Sequence, residues 1–143
     1  MASVHDVAGY ILDKLGEMTA MKLQKLCYYC QAWHLVWESE PLFDSRIEAW
    51  ANGPVIRALY EEHRGKFTVK KWAKGDKSRL SEDERESIDV VLKAYGDMSA
   101  YELSSLTHRE DPWKDAREGL PAGARSDAEI THEAMAEYYE GLV

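Results

Sequence analysis

The sequence has no features of a membrane or exported protein. No apolar run approaches the roughly 18–20 residues needed to span a membrane. The N-terminal stretch MASVHDVAGYILDKLGE lacks a basic region followed by an uninterrupted apolar core, so it does not resemble a signal peptide. Only two cysteines occur among 143 residues. Without an export signal we expect both to stay reduced, and we expect a cytoplasmic protein with no membrane partner.

Positive charge is also scarce. The chain has 18 Lys and Arg against 26 Asp and Glu, a formal net charge of −8. Phosphate contacts require a basic surface, so this balance argues against direct nucleic-acid binding. The charge is uneven, because residues 64–79 hold seven Lys and Arg against one Asp. This segment, with Phe67 and Trp72 interleaved, is either a solvated loop or a patch for an acidic partner, and both interpretations stay open.

Familiar catalytic motifs are absent. The sequence has no G-x-S-x-G nucleophile elbow, no phosphate-cradling glycine loop and no H-E-x-x-H zinc motif. The run His108-Arg109-Glu110-Asp111 combines a histidine with carboxylates, but a polar helix end accounts for it more simply. We therefore predict a non-enzymatic protein with no cofactor and no metal site.

One short stretch, CYYCQAWH at residues 27–34, could hold a metal or exchange disulfides. Cys27, Cys30 and His34 share one helical face, and a fourth ligand would complete a tetrahedral zinc site. However, the chain has no further cysteine, and Cys27 lies well inside a predicted helix, away from the N-terminus that would activate a thiolate. We predict that both cysteines pack in the core as small hydrophobes. A small metal-binding or redox protein remains the alternative.

The apolar spacing is mainly helical. Residues 3–16 show the i, i+3, i+4 pattern with Ser3 as N-cap, and Thr19 can cap a second helix that runs to about Trp37. Further helices are predicted to begin at Pro54, at the capping boxes SEDE (81–84) and SAYE (99–102), at Asp111 and at about residue 128.

A small β element interrupts the helices. The stretch PLFDSRIEAWA predicts one or two short strands, with Glu48 and Trp50 on one face and Ile47 and Ala49 on the other. Asn52-Gly53-Pro54 then predicts a turn into the third helix. We expect a compact, mainly α fold that forms a single domain over residues 1–143, with a β-hairpin near residues 41–51.

Several short motifs resemble those of a known family. They are KLQKL (22–26), YY (28–29), QAWH (31–34), PLF (41–43), EAW (48–50), GPV (53–55), LTH (106–108) and PW (112–113). In this combination the chain resembles the Panacea domain, the family of SocA-like and GepA-like antitoxins associated with phages. The pairing of KLQKL with GPV about thirty residues later is the most specific part of the resemblance.

The resemblance implies function by protein–protein binding. Family members are typically encoded beside a toxin, and the expected partner is that cognate protein toxin, neutralised by direct binding. An alternative is an adaptor that delivers the toxin to the ClpXP protease. No additional DNA-binding domain is evident, which favours direct neutralisation, and a homo-oligomer is compatible with the sequence.

The same motifs suggest site residues. At about 100° per residue, Lys22, Lys25 and Tyr29 fall on a different face of the second helix from the Cys27 and Cys30 stripe. We predict that this face is exposed and binds the toxin together with Trp50 and Asn52, since aromatic and basic residues dominate interface anchors. Structural motif roles are expected for Leu23, Leu26, Gly53, Pro54, Val55, His108 and Trp113.

Overall fold

A computed structural model describes residues 2–143, and Met1 lies outside the described residues. Within residues 2–143 the elements are α1 (Val4–Leu15), β1 (Met18–Thr19), α2 (Ala20–Glu38), β2 (Ile47–Trp50), β3 (Gly53–Ile56), α3 (Arg57–His63), β4 (Thr68–Val69), α4 (Glu82–Tyr95), α5 (Ala100–His108), α6 (Asp111–Ala116) and α7 (His132–Glu140). The predicted mainly α class with a small β element is confirmed. None of the described helices is both long and apolar enough to cross a bilayer.

Local capping sets the start of most long helices, as predicted. Ser3, Ser81 and Ser99 each form a capping box with the acidic residue three positions later. Thr19 accepts a hydrogen bond from the Lys22 amide and so begins α2. These interactions need only neighbouring residues, which is why the sequence alone predicts them.

Helix α2 lies at the centre of the fold. It packs against α1, α4, α5, α7 and strand β3, and its side chains are buried on almost every side from Ala20 to Leu35. One cluster of buried apolar side chains extends along the chain from Ala2 to Tyr139. A helix enclosed in this way has no solvent face over most of its length, and this fact decides where the predicted site residues lie.

Strands β2 and β3 form an antiparallel hairpin. Ile47 pairs with Ile56 and Trp50 pairs with Gly53, so that only Ala51 and Asn52 remain in the turn. Pro54 therefore lies in a strand, and the prediction that it begins a helix is wrong, since α3 begins at Arg57. The strand tolerates this proline because Pro54 and Ala49 form a non-hydrogen-bonded pair of the antiparallel ladder, so no inter-strand bond needs an N–H from residue 54.

Both backbone groups of Ala49 form hydrogen bonds with residues outside the hairpin. Its N–H donates to the Ala128 carbonyl at 2.8 Å, and its carbonyl accepts from the Arg117 guanidinium at 3.0 Å. The missing N–H of Pro54 thus leaves no acceptor unpaired. The Ile130 N–H likewise donates to the Ile47 carbonyl at 2.8 Å. Because residues 128–130 run extended beside β2, α7 begins at His132 and not at about residue 128 as predicted.

Candidate protein-binding site

Two of the residues predicted to face a partner are inside the protein. Lys25 and Tyr29 are both 0% exposed, so the prediction that they share an exposed face of α2 is wrong. Lys22 is only partly exposed, and its Nζ donates to the Gly96 carbonyl at 2.6 Å, where α4 ends. The 100° spacing does separate faces of α2, but neighbouring elements cover both faces.

The other two predicted contact residues lie at the end of the hairpin. Asn52 is exposed in the turn, and Trp50 is partly exposed beside it. His108, one of the residues predicted to have a structural role, is partly buried. The others are buried: Leu23, Leu26, Gly53, Pro54, Val55 and Trp113. The structure therefore divides the motifs into an outer hairpin surface and an inner support.

Lys25 lies directly beneath the hairpin turn. A Cβ atom at residue 53 would be 2.6 Å from the Lys25 Cε, 3.1 Å from the Thr107 Oγ1 and 3.3 Å from the Lys25 Nζ. Gly53 also has a φ of +123°, a conformation that L side chains rarely adopt. The contact brings together KLQKL, GPV and LTH, three motifs that are far apart in the sequence.

The Lys25 amine has no hydrogen-bond partner among the described residues. Burial lowers the pKa of Lys25 from 10.5 to about 7, because the charged form loses its hydration. The pKa of His63 and that of His108 are also lowered, chiefly by burial, and the nearby Lys25 charge lowers them further. A buried amine without a partner destabilises the fold, so stability does not explain its presence.

Helices α5 and α6 hold the hairpin turn in place. Ser104 Oγ donates to the Asn52 carbonyl at 2.6 Å, and Trp113 Nε1 donates to the Trp50 carbonyl at 2.8 Å. The His108 ring stacks on Trp113 with centroids 4.0 Å apart. The predicted structural roles of His108 and Trp113 thus have a physical basis, which is to fix the turn from below.

Gln24 fixes the other end of the hairpin. Its side-chain oxygen accepts from the Ile56 N–H at 2.8 Å, and its nitrogen donates to the Ile56 carbonyl at 3.1 Å. The same nitrogen lies 3.0 Å from the His63 Nε2. Gln24 therefore joins α2 to the end of β3 and to α3. The sequence predicted no such role for it, although it stands in the KLQKL motif.

The outer face of the hairpin is organised around Glu48. This carboxylate is 5% exposed and accepts hydrogen bonds from the Trp50 indole at 2.8 Å and from Arg57 at 3.2 Å. Arg46 donates to it as well, at 3.1 Å. Burial alone would raise the pKa of Glu48, but these hydrogen bonds outweigh burial and hold the pKa below its usual value.

Aromatic and cationic contacts extend this surface. The Arg57 guanidinium lies over the Trp50 ring at 5.6 Å, and the Tyr60 ring packs edge-on against Trp50 at 4.9 Å. We define the hairpin surface as Trp50, Asn52, Arg57 and Tyr60. Arg57 and Tyr60 were not predicted, although the alternation of β2 already placed Glu48 and Trp50 on one face.

Tyr29 belongs to a buried polar network. Its hydroxyl donates to Glu110 Oε1 at 2.6 Å, and the Tyr139 hydroxyl donates to the same oxygen at 2.7 Å. The Tyr28 hydroxyl lies 3.1 Å from that of Tyr139. Burial raises the pKa of Glu110 even though the tyrosines donate to it. The network joins α2, α7 and the start of α6, and its role is structural.

Cys27 and Cys30 pack in the core, as predicted. Both thiols are fully buried, and burial raises the pKa of each well above its ordinary value. His34 is also buried, with its Nδ1 2.8 Å from the Ser87 hydroxyl. The residues described contain no group of three or more His, Cys, Asp or Glu side chains placed to hold a metal ion. Because thiolates are the reactive form, this environment disfavours the metal and redox alternative.

Trp, Arg and Tyr, which lie on the hairpin surface, are the residues that most often anchor protein interfaces. Comparison with known proteins identifies related sequences. Residues 23–114 match the family described as "Antitoxin SocA-like, Panacea domain". The chain is also 30% identical over 124 residues to antitoxin SocA of Caulobacter vibrioides (strain NA1000 / CB15N), which covers 75% of this chain and 66% of the relative's length. No solved structure matches the chain.

This chain belongs to the antitoxin SocA-like family of Panacea domains, because the family match covers well over half of its length. Membership supports an antitoxin role. The matched region begins at Leu23 and ends at Lys114, so it contains Lys25, the hairpin and the residues of α5 and α6 that hold it.

Proposed function

We propose that this chain is an antitoxin that neutralises a cognate protein toxin by binding it directly through the hairpin surface. The observation that carries the proposal is the arrangement of Trp50 and Arg57 around the buried Glu48 carboxylate, with Tyr60 packed against Trp50. Trp, Tyr and Arg are the residues that most often anchor protein interfaces.

The hairpin surface is ordered before any partner arrives. Glu48 accepts from both Trp50 and Arg57, and Arg57 also lies over the indole ring. Immobilising a long side chain during binding costs about 0.5–1.5 kcal/mol. Since two of the anchors are already held, less of the binding free energy is lost in ordering them.

The inner motif residues support this surface and do not contact the toxin themselves. Gln24 fixes Ile56, and Ser104 and Trp113 fix the turn, with His108 stacked on Trp113. We also propose that residues 1–143 act as one domain, because a single apolar cluster extends from Ala2 to Tyr139. Homo-oligomerisation is not needed for this binding mode.

Co-expression tests the proposal. The probe is the protein encoded by the gene adjacent to that of this chain. Expressed alone it should arrest growth, and co-expression of this chain should restore growth while the two proteins co-purify. Failure to restore growth would contradict the proposal.

Toxin levels separate binding from degradation. Under direct neutralisation the amount of the adjacent-gene product stays unchanged while growth is restored, in cells with or without ClpXP. If its level falls, and both this fall and the rescue require ClpXP, the chain acts as an adaptor and the proposal of direct neutralisation is wrong.

A further inference from the structure

The basic segment 64–79 is not a loose loop. Strand β4 pairs with β1, with Met18 opposite Val69, and the Ala20 N–H donates to the Phe67 carbonyl at 2.9 Å. Further along, the Asp76 N–H donates to Asp6 Oδ1 at 2.8 Å. The first part of the segment is thus attached to β1 and the start of α2, and its last part is attached to α1.

Two more contacts fix the middle of the segment. The Trp72 Nε1 donates to the His5 Nδ1 at 3.0 Å, and the two rings stack. Gly75 fits so closely against α1 that a Cβ there would be 2.0 Å from the His5 carbonyl oxygen. A rigid basic segment loses little conformational entropy when it binds, which distinguishes it from a solvated loop.

Most of the positive charge in this segment is not neutralised within residues 2–143. Lys74 pairs with Glu62, and Lys77 pairs with Asp13. The other five cations are exposed and have no carboxylate within 4.0 Å: Arg64, Lys66, Lys70, Lys71 and Arg79. On a chain with a net charge of −8, this is a local region of opposite sign.

A groove of about 540 Å³ lies between α1 and this segment. Lys70, Lys71 and Trp72 form one wall, and Gly9 and Leu12 form part of the other. Asp13 and Asp76 also line it, but Lys77 pairs with Asp13 and the Asp76 carboxylate accepts from Ser78. Because serine is neutral, Asp76 keeps its charge, and the lining carries three lysines against two aspartates. Lys70 and Lys71 are the lysines of the lining that have no ion pair, and they lie beside apolar surface.

A row of ring contacts joins Trp72 in the groove to the hairpin surface through the buried His63. Tyr60 contacts Trp50 at 4.9 Å, His63 contacts Tyr60 at 5.5 Å, and Trp72 lies 6.4 Å from His63. These ring contacts hold the groove and the hairpin surface in a fixed position relative to each other.

We propose that the groove beside α1 binds an extended acidic segment of the toxin, with its carboxylates on Lys70 and Lys71 and an apolar side chain against Trp72. This inference rests on the proposed function, because it extends the surface through which the toxin is bound. Two unpaired lysines beside apolar surface fit a short segment that combines carboxylates with an apolar side chain, whereas nucleic acid requires a larger basic surface for its continuous row of phosphates.

Charge reversal of the two free lysines tests the inference. The variant Lys70→Glu/Lys71→Glu changes exposed side chains that have no ion pair. The matched control, Lys93→Glu/Arg125→Glu, makes the same charge change at exposed positions that do not line the groove. Affinity for the adjacent-gene product, measured by calorimetry, should fall roughly tenfold or more in the first variant and stay near wild type in the control. An equal loss in both, or none in either, would overturn the inference.

A second arm does not depend on the toxin. The probes are a fluorescein-labelled 12-residue peptide of Glu, Asp and Leu, a Lys and Leu peptide of equal length, and a 12-nucleotide single-stranded DNA. The acidic peptide alone should bind wild type, more weakly at higher salt and not to the Lys70→Glu/Lys71→Glu variant. Binding of the DNA instead, or of none of the three, would overturn the inference. If the acidic peptide binds but the adjacent-gene product does not, the groove stands and the proposed function fails.

Discussion

Lys25 occupies the space that any side chain at Gly53 would need. Its Cε is 2.6 Å from the position of a Cβ at residue 53, and the two residues meet beneath the turn that carries Asn52. Helix α2 and the turn between β2 and β3 therefore fit closely together at this contact. The contact explains why KLQKL and GPV belong to the same domain, although about thirty residues separate them.

Gly53→Ala should destabilise the protein more than a glycine substitution elsewhere. The new Cβ collides with Lys25 and also forces an unfavourable φ, so we expect a loss of about 3 kcal/mol or more in the free energy of unfolding. Gly16→Ala is the control, because its φ of +81° is also positive while nothing lies within 4 Å; it should cost about 1 kcal/mol. Chemical denaturation measures both.

A double variant separates the two causes at Gly53. In a Lys25→Ala background the collision is relieved, so Gly53→Ala should then cost only about as much as Gly16→Ala does. If Gly53→Ala lowers the free energy of unfolding equally with and without the Lys25 side chain, the proposed collision between the two residues does not occur.

Removing the Lys25 amine should stabilise the protein and change its pH dependence. The pKa of Lys25 is about 7 in the folded protein against 10.5 ordinarily. Between these values the unfolded chain holds a proton that the folded chain lacks, so the free energy of unfolding rises with pH. The rise is about 1.4 kcal/mol per pH unit at most.

Lys25→Met should abolish most of the rise between pH 7 and pH 9. At pH 7 the variant should be more stable than wild type by on the order of 3 kcal/mol. The exposed Lys93→Met serves as control and should keep the wild-type slope. Urea denaturation at several pH values provides the measurement. A Lys25→Met protein with an unchanged slope would show that the buried amine keeps an ordinary pKa.

In the wild type, ionisation of the buried Glu110 carboxyl should lower the free energy of unfolding as the pH rises. Glu110→Gln should remove this pH dependence. The folded pKa of Glu110 is raised, so its contribution is fully present below the unfolded value and is lost as the pH rises through the folded pKa. Both tyrosine hydroxyls donate to Oε1, and the glutamine oxygen can accept the same two bonds. The variant should therefore equal or exceed wild type at pH 7 in thermal unfolding.

Glu110→Leu is the comparison that keeps this prediction testable. It leaves buried hydroxyls without their acceptor, which costs about 1–3 kcal/mol each. If glutamine and leucine destabilise equally, the hydrogen bonds do not act as described.

The thiols of Cys27 and Cys30 should be inert in the native protein. Both are fully buried with a raised pKa, so a thiol reagent such as Ellman's should detect none in buffer and two in denaturant. The variants Cys27→Ala and Cys30→Ala should bind the adjacent-gene product normally and should lose only about 1–2 kcal/mol of stability. Rapid native labelling, or zinc in the purified protein that these variants lose, would revive the metal and redox alternative.

How much of the structure the sequence predicts depends on the range of the interactions. The caps at Ser3, Thr19, Ser81 and Ser99 involve residues three apart, and their helices begin where predicted. Helix α2 is enclosed by α1, α4, α5, α7 and β3, and Lys25 lies against Gly53 beneath the hairpin turn. The spacing of residues within α2 cannot predict this burial.

The hairpin shows the same limit. The sequence places strands near residue 47, but Pro54 fits in a strand because the register of the hairpin puts it opposite Ala49 in a non-hydrogen-bonded pair, and no local pattern predicts this register. Trp50 and Asn52 were predicted as contact residues because of their type and their turn. Arg57 and Tyr60 were missed because they join them only once β3 has folded back on β2.

The central claim is that the toxin binds the hairpin surface, and Asn52→Arg tests it most directly. Asn52 is exposed, and of its groups only the backbone carbonyl is used by the fold, so the new side chain should block a partner without disturbing the core. Val90→Arg adds the same side chain to an exposed position on α4 as the control. The measurement is the calorimetric affinity of each folded variant for the adjacent-gene product. We predict that Asn52→Arg weakens it roughly tenfold to a hundredfold while Val90→Arg leaves it unchanged; wild-type affinity in Asn52→Arg would contradict the claim.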